Sequence, residues 1–225
     1  INLSRQSDGF TIIGSSSADT ITGSSGDDVI ASFVGQDTVD GGAGVDTIQL
    51  SATSNDLNIA TDAQIVNVER IDASNASAAV TINLSWQSDG FTIIGSSSAD
   101  TITESSGDDV IVGFVGQDTV DGGTGVNTIQ LSATSNDLNI ATDAQIVNVE
   151  RIDASNASAA VTINLSWQSD GFTIIGSSSA DTITESSGDD VIVGFVGQDT
   201  VDGGTGVNTI QLSATSNDLN IATDA

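Results

Sequence analysis

The sequence contains no Cys, Pro, Met, His, Tyr or Lys. Without Cys the chain can form neither a disulfide nor a thiolate metal site. Without His it lacks the usual general base and the commonest transition-metal ligand. The absence of Lys excludes Schiff-base chemistry and phosphate clamps of the Walker type. These absences remove most familiar catalytic constellations, so the sequence predicts a protein that is not an enzyme.

Basic residues are almost absent as well, because 31 acidic residues face only 3 arginines and the net charge is −28. Nucleic acids and anionic membrane surfaces are poor partners for such a chain. No apolar run is long enough to span a bilayer, and the start shows no signal-peptide pattern, so no membrane insertion is expected. The chain begins at Ile1 without an initiator Met, which indicates a piece of a longer protein.

The residues that are abundant favour turns and strands. Only four of the acidic residues are Glu, so Asp dominates, and there are 24 Gly. Asp and Gly favour tight turns, whereas the recurring Ile, Val and Thr favour strands. A hydrophobic fraction of 37% is too high for a disordered chain. The composition predicts an all-β protein.

A repeat of 81 residues organises the chain. INLSRQSDGF begins at Ile1, and INLSWQSDGF begins at Ile82 and Ile163. We therefore predict one continuous solenoid of three copies, residues 1–81, 82–162 and a truncated 163–225. Copies two and three are identical over their shared length. Copy one differs from copy two at six positions, namely Arg5/Trp86, Gly23/Glu104, Ala31/Val112, Ser32/Gly113, Ala43/Thr124 and Asp46/Asn127.

A nine-residue unit recurs within each copy. Residues 14–49 read GSSSADTIT, GSSGDDVIA, SFVGQDTVD and GGAGVDTIQ, with Asp at the sixth position and an aliphatic at the eighth. Gly permits the backbone conformations of a tight turn. Asp supplies the hard oxygen ligand that calcium prefers, and the aliphatic residue points into the core from a short strand.

This unit resembles the nonapeptide GGxGxDxUx (U, a large aliphatic) of RTX, or repeats-in-toxin, proteins. Residues 41–49 match every fixed position, and the other units match in part. The resemblance implies a calcium-binding parallel β-roll in which Ca²⁺ lies between turns two units apart. The implied ligands are the sixth residues of the units: Asp19, Asp28, Asp37, Asp46, Asp100, Asp109, Asp118, Asn127, Asp181, Asp190, Asp199 and Asn208.

Two departures from the family pattern leave the ligand set open. Asn127 and Asn208 bring no charge to the fourth unit, so the sites in copies two and three are expected to be weaker. At the first turn position, Glu104 and Glu185 either add a ligand or project into water. The competing interpretation is that the aspartates only form turns.

The spacing of core residues predicts a right-handed parallel β-roll or β-helix with four turns per copy. One core residue per strand gives the series Ile12, Ile21, Ile30, Val39, Ile48, Ile59, Ile71, Ile82 and Ile93. The coils widen after Leu50. Counting nonapeptides alone would give four and a half turns, but it puts Phe10 in an Asp position and Asn75 in a core position. With strands about 4.8 Å apart, a copy of four turns advances about 19 Å.

Two surface features remain open. Trp86 and Trp167 replace Arg5, and each either covers a neighbouring coil or forms an exposed lateral or sugar-stacking contact. Thr20, Thr38 and Thr47 are expected in one outward row, as in ice-binding solenoids, although Val29 interrupts it.

The favoured function is the structural repeat region of a secreted, calcium-stabilised bacterial surface protein, either an adhesin stalk or an extracellular filament. By the resemblance, it would leave the cell unfolded by a type I route and fold on meeting calcium. Self-association, end to end or lateral, is expected because the ends of a solenoid are strand edges. One alternative is the calcium-binding accessory region of a larger secreted protease, lipase or polysaccharide-modifying enzyme. A weaker alternative is a glycan- or ice-binding solenoid.

Overall fold

Three-residue strands, each with a buried aliphatic residue at its centre, form the walls of the protein. The structure, a computed structural model, describes residues 1–212; the remainder of the third copy, residues 213–225, lies outside them. In Thr20–Thr22 the central Ile21 is buried while Thr20 is exposed, as the alternation along a strand requires. Gly and Asp separate successive strands, and the chain winds into a parallel β-solenoid of about eleven turns.

One continuous parallel sheet runs along the whole solenoid and includes one strand from every turn. Its strands pair in the order in which they occur along the chain. They are β1 (Thr11–Ile13), β3 (Val29–Ala31), β5 (Thr47–Gln49), β7 (Arg70–Asp72), β9 (Thr92–Ile94), β11 (Val110–Val112), β13 (Thr128–Gln130), β15 (Arg151–Asp153), β17 (Thr173–Ile175), β19 (Val191–Val193) and β21 (Thr209–Gln211).

The opposite wall consists of three shorter parallel sheets. They contain β2 (Thr20–Thr22), β4 (Thr38–Asp40) and β6 (Ile65–Val66); then β8 (Thr81–Asn83), β10 (Thr101–Thr103), β12 (Thr119–Asp121) and β14 (Ile146–Val147); then β16 (Thr162–Asn164), β18 (Thr182–Thr184) and β20 (Thr200–Asp202). Short 3₁₀ turns interrupt this wall: η1 (Leu57–Ile59), η2 (Asp62–Gln64), η3 (Leu138–Ile140) and η4 (Asp143–Gln145). The described residues contain no α-helix.

The predicted four turns per copy are confirmed by the strand register. Along the continuous sheet Ile12 pairs with Ile30, Ile30 with Ile48, Ile48 with Ile71, and Ile71 with Ile93. Residues 81 positions apart therefore occupy equivalent places four turns apart. The four pairings also show the predicted widening, since the last two span more residues than the first two.

The wide third coil corrects one predicted core position. Ile59 is 58% exposed in η1, and Ile65 instead pairs with Val39 in the opposite wall. The additional residues of this coil form the two 3₁₀ turns, with Leu57 buried beneath them. The spacing of core residues predicts Ile59 at this position, but spacing alone does not show which aliphatic residue of a widened coil faces the core.

Side chains connect neighbouring coils where the second wall is interrupted. The Asn58 amide donates to the Thr81 carbonyl at 3.1 Å, and its oxygen accepts from the Asn83 N–H at 2.8 Å. The amide group thus replaces the missing strand on one edge of β8. The Gln87 amide likewise donates to the Ala60 carbonyl at 2.8 Å. These bonds compensate backbone groups that the sheet leaves without partners.

The predicted surface rows turn out differently. Thr20 pairs with Thr38 in the second wall, whereas Thr47 lies in the continuous sheet, so the single threonine row is wrong. Successive nine-residue units lie in opposite walls, so only residues 18 positions apart lie in the same wall.

Trp86 and Trp167 are 64% and 66% exposed, so neither ring is buried against a neighbouring coil.

Candidate metal centre

The turns bring the sixth-position residues of alternate units together, one above the other. A tight turn needs glycine here: Gly42 has φ 102°, and a Cβ at this position would collide with the Ser24 carbonyl of the preceding coil. With the backbones so close, the Asp28 N–H donates to Asp46 Oδ1 at 2.7 Å. The Asp19 N–H donates to Asp37 Oδ1 at 2.8 Å.

All of these carboxylates except that of Asp46 also close their own turns. Asp28 Oδ2 accepts from the Ser24 N–H at 2.6 Å, while its Oδ1 accepts from the Phe10 N–H at 2.7 Å. Asp109 repeats the arrangement, accepting from the Ser105 N–H at 3.0 Å and the Phe91 N–H at 2.6 Å. Most of these aspartates therefore form turns in this structure, and whether they also bind calcium stays a prediction. An ionised carboxylate keeps further lone pairs, so this role does not prevent it from binding a cation.

Most of the predicted ligands are buried. The exceptions are Asp19 and Asp199, which are partly buried, and Asn208, which is exposed near the end of the described chain. The buried members are Asp28, Asp37, Asp46, Asp100, Asp109, Asp118, Asn127, Asp181 and Asp190. The structure pairs them by adjacent coils as the pattern predicts, and their direct contact with calcium stays a prediction.

The ladder extends to a glutamate that sequence reasoning missed. The Asp46 N–H donates to Glu69 Oε2 at 2.8 Å, and the Asn127 N–H donates to Glu150 Oε2 at 2.7 Å. Glu69 lies 23 residues after Asp46 rather than 18. A search for acidic residues separated by the 23 residues of the wide coil would have found Glu69.

Burial makes several of these acids hard to ionise. It is the main cause that raises the pKa of Asp46 to about 6, and the charges of Asp28 and Glu69 add to it. The pKa of Asp118 also rises to about 6, mainly through burial, although two backbone hydrogen bonds oppose the rise. Burial likewise raises the pKa of Asp109. A bound cation would favour the ionised form of these groups.

The donor set of the turns fits calcium. Asp46 Oδ2 is buried without a hydrogen-bond donor, and the Asn67 carbonyl lies on the same side of the turn, since a Cβ at Gly41 would contact both oxygens. These two oxygens face the same space, and a hard cation such as calcium is suited to bind between them. Within residues 1–212 no group of three or more acidic side chains is arranged to hold a metal ion by itself. Backbone carbonyls would therefore have to complete the shell.

Fold and turns together define a calcium-binding β-roll solenoid. The RTX calcium-binding nonapeptide repeat, a family model of four units, matches residues 13–48, 94–129 and 175–210. These three segments, 36 residues each, belong to that family, whose repeats bind calcium. No curated protein and no solved structure matches the chain. No helix within the described residues is both long and apolar enough to cross a membrane.

Proposed function

We propose that this chain is a calcium-stabilised structural spacer of a secreted bacterial surface protein, an adhesin stalk or a self-assembling filament. The observation that carries the proposal is the sheet that continues through all three copies. Because four turns separate equivalent residues, nearly identical surface positions recur once in every four coils. RTX repeats are also typical of secreted extracellular bacterial proteins. A repeated surface suits a stalk or a polymer, whereas an enzyme seldom requires one site several times.

The exposed tryptophans support a lateral contact. Trp86 and Trp167 are exposed and occupy equivalent positions in copies two and three, four turns apart, so we expect them on the same face. Large exposed aromatic rings are typical centres of protein interfaces. Copy one carries Arg5 at this position, so the chain itself supplies a matched replacement for the contact.

Electron microscopy tests this role directly. In calcium, the chain should form uniform rods or fibres, and chains with six or nine copies should lengthen by about 19 Å per added copy. Trp86→Arg with Trp167→Arg should abolish lateral bundling and leave the length per copy unchanged. The proposal would be contradicted if the particles stayed monomeric and their length did not increase with the number of copies.

The remaining alternatives predict other outcomes. If the solenoid is a glycan-binding surface, the same tryptophan variants lose binding on a glycan array while bundling is absent throughout. If it is an accessory region of a secreted enzyme, the complete gene encodes a catalytic domain beside only a few copies.

A further inference from the structure

The copies differ by an exchange of acidic residues between two stacked turns of neighbouring coils. Copy one has Gly23 at the first position of its second unit and Asp46 at the sixth position of its fourth unit. Copy two has Glu104 and Asn127 at these places, and copy three has the same pair as copy two. One carboxylate is lost and one is gained, so the number of acids in this pair of stacked turns is unchanged.

The loss at position 127 removes an acceptor that had no donor. In copy one, Asp46 is 0% exposed and its Oδ2 has no hydrogen-bond partner. In copy two, the Asn127 amide donates to the Asn148 carbonyl at 3.1 Å, and its Oδ1 accepts from the Asp109 N–H at 3.1 Å. Asn127 is thus neutral, and both its side-chain oxygen and its side-chain nitrogen have a hydrogen-bond partner, so no cation is needed beside it.

The gain at position 104 creates a new unpaired acid in the adjoining coil, in the turn stacked on that of Asn127. Glu104 is only 1% exposed, and neither of its side-chain oxygens has a hydrogen-bond partner. Its alternative orientation, into water, is therefore wrong. Burial, followed by the charges of Asp109, Asp121 and Glu150, raises its pKa to about 9. All the charged groups that act on it are acids, so no basic side chain neutralises it.

Copy three repeats this arrangement near the end of the described chain. Glu185 is 2% exposed, and its Oε2 has no hydrogen-bond partner. A Cβ at Gly203 would lie 3.2 Å from this oxygen and 3.0 Å from Asn208 Nδ2. The glutamate therefore points toward the turn that carries the asparagine. The relocated carboxylate faces the residue that lost its charge.

We propose that Glu104 and Glu185 are cation ligands that the nonapeptide pattern does not contain, and that they replace in copies two and three the carboxylate that Asp46 supplies in copy one. The inference rests on calcium binding by the repeats and not on the stalk or filament role. Buried carboxylates without donors are stable when they are protonated or coordinate a metal. Asp109 and carbonyl oxygens of the adjoining turns complete the ligand set.

A cycle of variants in copy two of the full 225-residue chain tests the proposal. The natural chain has one of the two carboxylates, Glu104→Gly has neither, Asn127→Asp has both, and the double variant has the pair of copy one. Calcium stoichiometry and affinity are measured by isothermal titration calorimetry. Glu104→Gly should lose one calcium ion or weaken its binding at least tenfold. The double variant should recover binding, and Asn127→Asp should exceed the natural chain.

Three further variants make the outcome decisive. Glu104→Gln keeps the side-chain volume, so it decides the question if Glu104→Gly does not fold. Asp89→Asn removes one exposed charge and should leave binding unchanged. Asp109→Asn, a change to a family ligand, should weaken binding whichever way the proposal falls. Unaltered binding in Glu104→Gln and Glu104→Gly, together with loss in Asp109→Asn, would overturn the assignment of Glu104 while leaving the family site intact.

Discussion

The metal-free chain should become less stable as the pH rises, and Glu104 is the residue best suited to show it. Its carboxyl has an ordinary pKa of 4.5 when solvated and a pKa of about 9 in the fold, chiefly because it is buried. Below pH 4.5 it is protonated in both the folded and the unfolded states, and it contributes no pH dependence. Above that pH only the unfolded state releases the proton, so unfolding becomes progressively easier.

The size of this loss of stability follows from the one proton that Glu104 releases on unfolding. Between about pH 5 and pH 8, this group lowers the free energy of unfolding by about 1.4 kcal/mol per pH unit. From pH 5 to pH 7 the loss is roughly 2 to 3 kcal/mol. Burial also raises the pKa values of Glu185, to about 7, and of Asp46, to about 6, and both add to the trend at lower pH. Comparison with Glu104→Gln isolates the glutamate, since the other acids remain.

The chain is convenient for this measurement because it contains four glutamates. With ¹³C at the glutamate side-chain carboxyl carbon, a metal-free sample should give four signals, one of which titrates near pH 9 and disappears in Glu104→Gln. Urea unfolding at pH 5, 6 and 7 should show the two stability curves diverging with the stated slope. Four signals that all titrate below pH 6, or parallel stability curves, would refute the reasoning.

Three further changes have definite expected outcomes. Excess chelator should abolish the β-type circular dichroism or strongly lower the melting temperature, because stacked aspartates lose their counter-charge; an unchanged melting curve would mean that the turns close without metal. Ser32→Gly should raise the stability of copy one by about 0.5–1 kcal/mol, because Ser32 has φ 72° where copy two has Gly113 at φ 76°; Gly113→Ser is the matched reverse change, and equal stabilities in urea unfolding would contradict the prediction. Spin labels at Trp86→Cys and Trp167→Cys should lie about 19 Å apart, allowing for label length; a much longer separation would place them on different faces.

The regular part of the fold could be predicted from the sequence because one interaction pattern repeats without interruption. Position eight of each unit is aliphatic and position six is Asp or Asn, and the structure puts Ile30 in the core and Asp28 in the turn ladder accordingly. Four turns per copy followed from requiring an aliphatic residue at every core position. The physical constraint was strong because each coil must match its neighbours strand for strand.

The core residue of the wide coil could not be predicted, although the widening was, because its position depends on contacts distant in sequence. The choice of Ile65 over Ile59 depends on the turn that buries Leu57, where the Ser54 hydroxyl donates to the Phe33 carbonyl and accepts from the Leu57 N–H. Ser54 and Phe33 are 21 residues apart, and no nine-residue pattern connects them.

The candidate site was predictable only as far as the family pattern reaches. The pattern identified the aspartate ladder, but it has no place for a glutamate at the first turn position. Such a residue in a Gly-rich turn is ordinarily solvated, so the sequence left two orientations open for Glu104. Its burial depends on how the turn of the next coil covers it, which only the structure supplies.

Acid and calcium should therefore act as interchangeable stabilisers of this fold. A buried carboxylate without a donor, such as Glu104 or Asp46 Oδ2, can be neutralised by a proton or by a cation. Near pH 5, protonation neutralises these buried carboxylates at little cost. At pH 8 the unfolded chain releases their protons, so the metal-free fold loses stability that only a bound cation can restore. We expect the rise in melting temperature on adding calcium chloride to the metal-free chain to be small near pH 5 and to grow steadily toward pH 8. Differential scanning calorimetry across this range measures it directly. A calcium effect independent of pH would show that the ion neutralises only acids that are already ionised in the metal-free fold.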